Sequence, residues 1–135
     1  MKTSEVHYKG ELRTDAIHLK SGEKIVTDAP VDNQGKGEAF SPTDLTATSL
    51  AACMITTIGI MAQNKNIEIE KMDAEVLKVM AANPRRISEI HVDLAVKVSP
   101  DNSVIRNLVM DTAINCPVAN SLHPDIKQEV NFSFL

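Results

Sequence analysis

The sequence predicts an α+β fold in one domain, residues 1–135, with an antiparallel sheet packed on a long central helix and a second, shorter helix. Three observations lead there. An uncharged stretch of 18 residues, 45–62, follows the helix-entry signature Ser41-Pro42-Thr43-Asp44. Two long runs on either side of Ala82-Asn83-Pro84 alternate apolar and polar residues with period two. A short helical pattern and a last alternating run then close the chain.

The elements follow in order. Val6, Tyr8, Gly10 and Leu12 alternate with polar residues, which reads as a first strand with Arg13 at its end. Ile17 and Leu19 precede the turn signal Ser21-Gly22, and residues 25–27 form the return strand. The segment DAPVDNQGKGEAF, holding Pro30, Gly35 and Gly37, reads as a loop of the mobile or functional kind. Ser41 suits an N-cap, Pro42 the first helical position, and Asp44 sits three residues after the cap. The helix should cover roughly 42–64. From Ile67 the period becomes two: Ile67 and Ile69 alternate with Glu68 and Glu70, and Met72, Ala74 and Val76 lead toward Met80. Ile90, Val92, Leu94, Val96 and Val98 then alternate with Glu89, His91, Asp93, Ala95 and Lys97, so the pair is a long hairpin with one buried face. Pro100-Asp101-Asn102-Ser103 opens a second helix with Val104, Ile105, Leu108, Val109 and Thr112 on one face. Cys116-Pro117 ends it and starts a short helix to Leu122, and Val130 and Phe132 mark a final strand.

Composition bounds the function. Hydrophobic residues are 43% and charged residues 24%, as in ordinary soluble globular proteins. Aromatic residues are only 3%, without Trp, so the core is aliphatic and Met-rich. A net charge of −4 provides no basic footprint for nucleic acid. The first fifteen residues have no apolar run, so no signal peptide is expected and the protein is expected to be cytoplasmic. The uncharged run is at the lower edge of membrane-spanning length, but Thr46, Thr48, Ser49, Thr56 and Thr57 lower its hydrophobicity, and no membrane role is expected. A helix this apolar needs cover on all faces, and the helices of two subunits packed together in a homodimer would provide it.

Two residues have reactive potential, Cys53 in mid-helix and Cys116. In a reducing compartment they read as free thiols or a redox pair rather than a permanent staple. A free Cys often serves as a small buried hydrophobe, and Cys53 fits that reading as well as a redox one. Cys116 falls at the N-cap of the short helix, where unpaired N–H groups and the helix dipole favour a thiolate. No CxxC motif is present. His7, His18, His91 and His123 lie far apart, with no ligand-type spacing to each other or to a carboxylate, so neither a metal nor another cofactor is expected.

The segment GEAFSPTDLTATSLAACMITT, residues 37–57, resembles the central helix of the OsmC/Ohr family, in which a Ser/Asn-Pro entry leads to a small-residue helix ending in Ala-x-Cys or Gly-x-Cys. The segment AINCPVANSL is similar to that family's second cysteine site, where Cys-Pro follows the second helix. The order of elements agrees over nearly the whole chain. The resemblance implies an intertwined homodimer and a thiol-dependent peroxidase that reduces organic hydroperoxides. It makes Cys53 the peroxidatic thiol and Cys116 the resolving one, through a sulfenic acid and then a disulfide that a separate, unidentified dithiol reductant reopens. Met54, Ile58 and Met61 would form an apolar wall or simply pack the core. The family supplies an Arg oriented by a Glu to lower the thiol pKa, and Arg13 fits that N-terminal placement, with Arg85 and Arg86 as surface alternatives. The Glu position is occupied here by Thr43, with the carboxylate of Asp44 one residue further on. The competing expectation on the same fold is a non-catalytic stress protein or a protein that binds an apolar ligand.

Overall fold

Gly10 ends the first strand earlier than its alternation suggests. It has φ 87°, and Glu11 and Leu12 follow at 55° and 65°, so three successive residues occupy the left-handed region and turn the chain. In the computed structural model, which describes residues 1–135, β1 is Ser4–Gly10, β2 is Arg13–His18 and β3 is Lys24–Asp28. Arg13 therefore opens β2 rather than closing the first strand, and pairs across the ladder with Asp28 at the end of β3. The chain forms two compact units, residues 1–46 and 47–135. The first contains the antiparallel sheet β1-β2-β3 and the segment after it.

That segment is tied down internally. A single 3-10 turn covers Val31–Asn33, and the N–H groups of Gly35 and Gly37 donate to the carbonyls of Pro30 and Ala29 at 2.9 and 3.2 Å. A Cβ at position 35 would lie 1.8 Å from the carbonyl oxygen of Ala29, so only glycine fits there. The N–H of Asp28 donates to the Phe40 carbonyl at 3.0 Å, which joins the two ends of the segment.

α1 spans Pro42–Asn64, as the sequence predicts. Ser41 and Asp44 close its N-terminus reciprocally: the Asp44 N–H donates to Ser41 Oγ at 3.1 Å and the Ser41 N–H to Asp44 Oδ2 at 3.0 Å. By length and composition this helix is also long and apolar enough to cross a membrane. In the second unit it is the core helix, with Ala47, Leu50, Ala51, Met54, Ile58 and Ala62 as its buried stripe.

The second unit adds β4 (Glu68–Ala81), β5 (Arg86–Ser99), α2 (Ser103–Ile114), α3 (Pro117–Ser121) and β6 (Lys127–Phe134). β4 and β5 form the long hairpin; a register irregularity between Ile69 and Lys71 explains why Met72 follows Ile69 by three residues rather than two. Ile90, Val92, Leu94 and Val96 on β5 are at most 1% exposed, and each contributes about 2 kcal/mol by burial. Asn102 caps α2, its side-chain oxygen accepting the Ile105 N–H at 2.9 Å. The sheet order is β4-β5-β6, and β6 lies parallel to β5. The sheet is thus mixed, not purely antiparallel, because α2 and α3 return the chain so that β6 runs in the same direction as β5.

Candidate active site

Cys53 and Cys116 both lie in the second unit. Cys53 lies near the middle of α1, half-buried and packed against the core cluster. The Thr57 hydroxyl one turn later donates to the Cys53 carbonyl at 2.7 Å. Its proton is therefore committed, and in the 3.9 Å contact between Cys53 Sγ and Thr57 Oγ1 the thiol is the donor. Met54 and Ile58 on the same helix are fully buried, so they pack the core. Met61 is partly exposed against the same cluster.

Cys116 is fully buried and is the N-cap residue of α3, whose first helical residue is Pro117. Its surroundings differ from the expected thiolate-favouring cap. Burial pushes the thiol up, and this outweighs the N–H groups of Ala119 and Val118 that favour the anion. The neighbouring Cys53 raises it further. Both cysteines are free thiols, and Cys53 packs against the cluster in which Cys116 is buried. The arrangement is one accessible thiol beside one enclosed thiol, with no other titratable group among the causes acting on Cys116.

Arg13 is organised within the first unit. Its guanidinium makes a two-point bond to Asp28, with Nε to Oδ1 and Nη2 to Oδ2 both at 2.7 Å. The Glu38 N–H donates to Asp28 Oδ2 at 3.1 Å, and Glu38 Oε1 lies 3.5 Å from Arg13 Nη2. None of these bonds uses Nη1, and the Arg13 side chain is one-third exposed while that of Asp28 is fully enclosed. The Arg13 hydrogen bonds hold the Asp28 carboxyl well below the usual carboxylate range despite its burial, and the pairing raises Arg13.

The other sequence candidates separate. Asp44 forms the capping box with Ser41, which accounts for its place in the sequence. Arg86 is exposed in the β4–β5 turn and donates to the carbonyls of Ala82 and Pro84 at 3.0 and 2.8 Å; Arg85 is exposed beside it. Asp28 is the residue that sequence reading passed over. Its one signal is an aspartate closing an alternating strand beside Thr27, and that pattern is common at strand ends. The histidine reading needs correction at His91, which lies between Glu89 and Glu129 at 3.0 and 3.3 Å. A spacing of two along a strand puts Glu89 on the same face as His91, and the parallel partner Glu129 comes from a distant part of the chain.

Comparison with known proteins agrees with this architecture. The OsmC-like protein family model matches residues 35–131. A crystal structure from Psychrobacter arcticus 273-4, of a protein named for osmotic stress induction and a detoxification response, is 57% identical; the likeness covers 98% of this chain and 96% of that one, with a TM-score of 0.90. An organic hydroperoxide resistance protein OsmC from Legionella pneumophila shares the fold at 20% identity, covering 98% of both chains with a TM-score of 0.73. An OsmC-like protein from Mycoplasma pneumoniae shares it at 23% identity, 100% and 98% coverage and a TM-score of 0.79. An uncharacterized protein of Methanocaldococcus jannaschii is 29% identical over 102 residues, 71% of this chain; the matched segment is 53% of that relative's length, so the chain spans about half of it.

Proposed function

The chain belongs to the OsmC-like protein family, and from that premise we propose that it is a thiol peroxidase for organic hydroperoxides, with Cys53 as the attacking thiol and Cys116 as the resolving one. The observation that carries this reading is a half-buried Cys53 packed against the same core cluster that holds the fully buried Cys116. The Cys53 thiolate attacks the distal oxygen of ROOH, the O–O bond breaks, and the alkoxide leaves as ROH after taking a proton. Cys53 is then a sulfenic acid. The Cys116 sulfur attacks it, hydroxide departs with the Cys116 proton as water, and a Cys53–Cys116 disulfide forms. An external dithiol reduces that disulfide and is itself oxidised to a disulfide. The burial of Cys116 suits the second role, because a thiol shielded from solvent reacts with its neighbour before it reacts with peroxide.

By the family resemblance alone, Arg13 is the cation we assign to stabilising negative charge in the first step. Within its own unit a two-point bond to Asp28 fixes the guanidinium plane and leaves Nη1 outside it. Asp28 thereby supplies the orienting carboxylate in a chain that has Thr43 at the family's Glu position. The protein is also assigned to a homodimer, which is supported by apolar side chains left open in the single chain: Val6 at 63%, Tyr8 at 68% and Ile60 at 55% exposure.

The test is a thiol count and intact mass on reduced protein after stoichiometric cumene hydroperoxide. The expected outcome is loss of both thiols and of two hydrogens within minutes, with Cys53→Ser unreactive and Cys116→Ser arrested at oxidised Cys53. Persistence of both thiols on that timescale overturns the peroxidase and leaves an apolar-ligand or stress protein on the same fold.

A further inference from the structure

Thr57 stands one turn after Cys53 on α1, and two contacts join the pair. Its hydroxyl donates to the Cys53 carbonyl at 2.7 Å, and its Oγ1 lies 3.9 Å from Cys53 Sγ. We propose that Thr57 is a hydrogen-bond switch for the reacting sulfur: its hydroxyl accepts from the thiol and turns to donate to the thiolate once the proton has left. The inference rests on the reading of Cys53 as the attacking thiol and adds the group that steadies its sulfur in both protonation states.

The proton inventory carries the argument. A hydroxyl has one proton and two lone pairs. With the proton on the Cys53 carbonyl, Oγ1 presents a lone pair to the sulfur, so the thiol proton points at Thr57 and the Cys53 side chain is oriented by it. Loss of the thiol proton leaves a lone pair facing an anion. Rotation about the Thr57 Cβ–Oγ1 bond relieves that repulsion by redirecting the hydroxyl proton to the sulfur. The rotation orphans no backbone group, because the same carbonyl keeps the helical bond from the Thr57 N–H. A hydrogen bond to a charged acceptor is roughly twice as strong as one to a neutral acceptor, so ionisation itself drives the turn.

The surroundings leave this task to a hydroxyl. Residues 45–62 carry no charge, and apart from the thiol their only side-chain donors are hydroxyls. The bond to the carbonyl does not by itself mark Thr57, since threonines inside helices bond back to the carbonyl four residues earlier. Thr46 does so on this same helix, to the Pro42 carbonyl at 3.1 Å. What sets Thr57 apart is that it bonds back to a cysteine whose sulfur reaches the same oxygen. Both residues are half-buried, so water competes only in part for the sulfur and the adjacent hydroxyl counts for more.

Rates of Cys53 alkylation by iodoacetamide and of its oxidation by cumene hydroperoxide test the switch, on reduced protein at neutral pH with the modified site located by mass spectrometry. Thr57→Val keeps the shape and loses the hydroxyl, and should slow both reactions about tenfold. Thr57→Ala should slow them alike without placing a second methyl in the site. Thr57→Ser should return both rates to within about twofold of wild type, an order that packing alone would reverse because valine fills the site better than serine. Thr46→Val removes the same kind of back-bond two turns from Cys53 and should leave both rates unchanged. Wild-type rates in Thr57→Val and Thr57→Ala overturn the proposal, as does a loss that Thr57→Ser fails to restore or that Thr46→Val shares. If cumene hydroperoxide leaves wild-type Cys53 unoxidised, the peroxidase falls while the alkylation rates still decide the switch.

Discussion

Asp28 offers both carboxylate oxygens to Arg13, with Nε on Oδ1 and Nη2 on Oδ2, each at 2.7 Å, although Asp28 is 1% exposed and Arg13 opens the neighbouring strand. A carboxylate this enclosed is tolerated only because the guanidinium and the Glu38 N–H together satisfy it. Removing either partner leaves the other's charge without compensation. Asp28→Asn is expected to lower Tm by about 10 °C at neutral pH. Arg13→Lys is expected to lose most of the same stability, since a single ammonium cannot span both oxygens. The pH dependence follows from the depressed Asp28 pKa: its stabilisation is complete above the unfolded-state value of about 4 and is lost as pH falls through the lower folded-state value. Wild type and Asp28→Asn should therefore converge in acid, as read by denaturant midpoints across that range.

Cys116 has the opposite sign. Its thiol is pushed up by burial, so the folded state holds the proton more tightly than the unfolded chain does. The resulting stabilisation is complete below the unfolded-state pKa of about 8.5 and is lost as pH rises through the folded-state value. Urea midpoints should fall with pH above that point in wild type and less steeply in Cys116→Ala. Iodoacetamide at neutral pH should modify Cys53 in the native reduced protein and reach Cys116 only after unfolding.

Ile58 is fully buried in the cluster that joins α1 to β5. Ile58→Ala is expected to cost about 3 kcal/mol through lost burial and the cavity left behind. Equilibrium urea denaturation measures it; a cost below 1 kcal/mol would mean that the helix face is not packed as described.

Ile60, two residues on, faces outward at 55% exposure. Ile60→Asp should leave the core intact and shift the protein from dimer toward monomer in sedimentation equilibrium, in line with the proposed homodimer. A wild-type chain that sediments at its own single mass at micromolar concentration contradicts that assembly.

Helix caps provide an independent scale. Asn102→Ala removes the acceptor for the Ile105 N–H and is expected to cost about 1 kcal/mol. Ser41→Ala should cost at least as much, because Ser41 is 1% exposed and its hydroxyl accepts the Asp44 N–H inside the fold. Thermal denaturation of the two variants separates the exposed cap from the buried one.

Local patterns were legible where the physics is local. Ser41-Pro42 and the uncharged run after it mark α1 at its observed limits, since a cap, a ring-restricted φ and small apolar residues all act within one or two turns. The alternation of 90 through 98 identifies the buried face of β5 for the same reason. The turn at Glu11 and Leu12 was hidden because neither residue type advertises a positive φ; only Gly10 did. The two cysteines stood out by chemistry, but the thiolate expected at Cys116 gave way to burial, a quantity that no neighbouring residue in the sequence reveals.

By itself, then, the sequence determined the helices, the long hairpin, the family resemblance and the identity of the two thiols, because propensity, capping and periodicity are properties of neighbouring residues. Tertiary structure alone decided that β6 lies parallel to β5, that Cys53 packs against the cluster holding Cys116, that Asp28 rather than a helix-entry glutamate holds Arg13, and that His91 stands between two carboxylates. Each of those depends on groups brought together from distant positions, where the cost of removing charge from water and the gain from pairing it are settled only when the chain has closed around them.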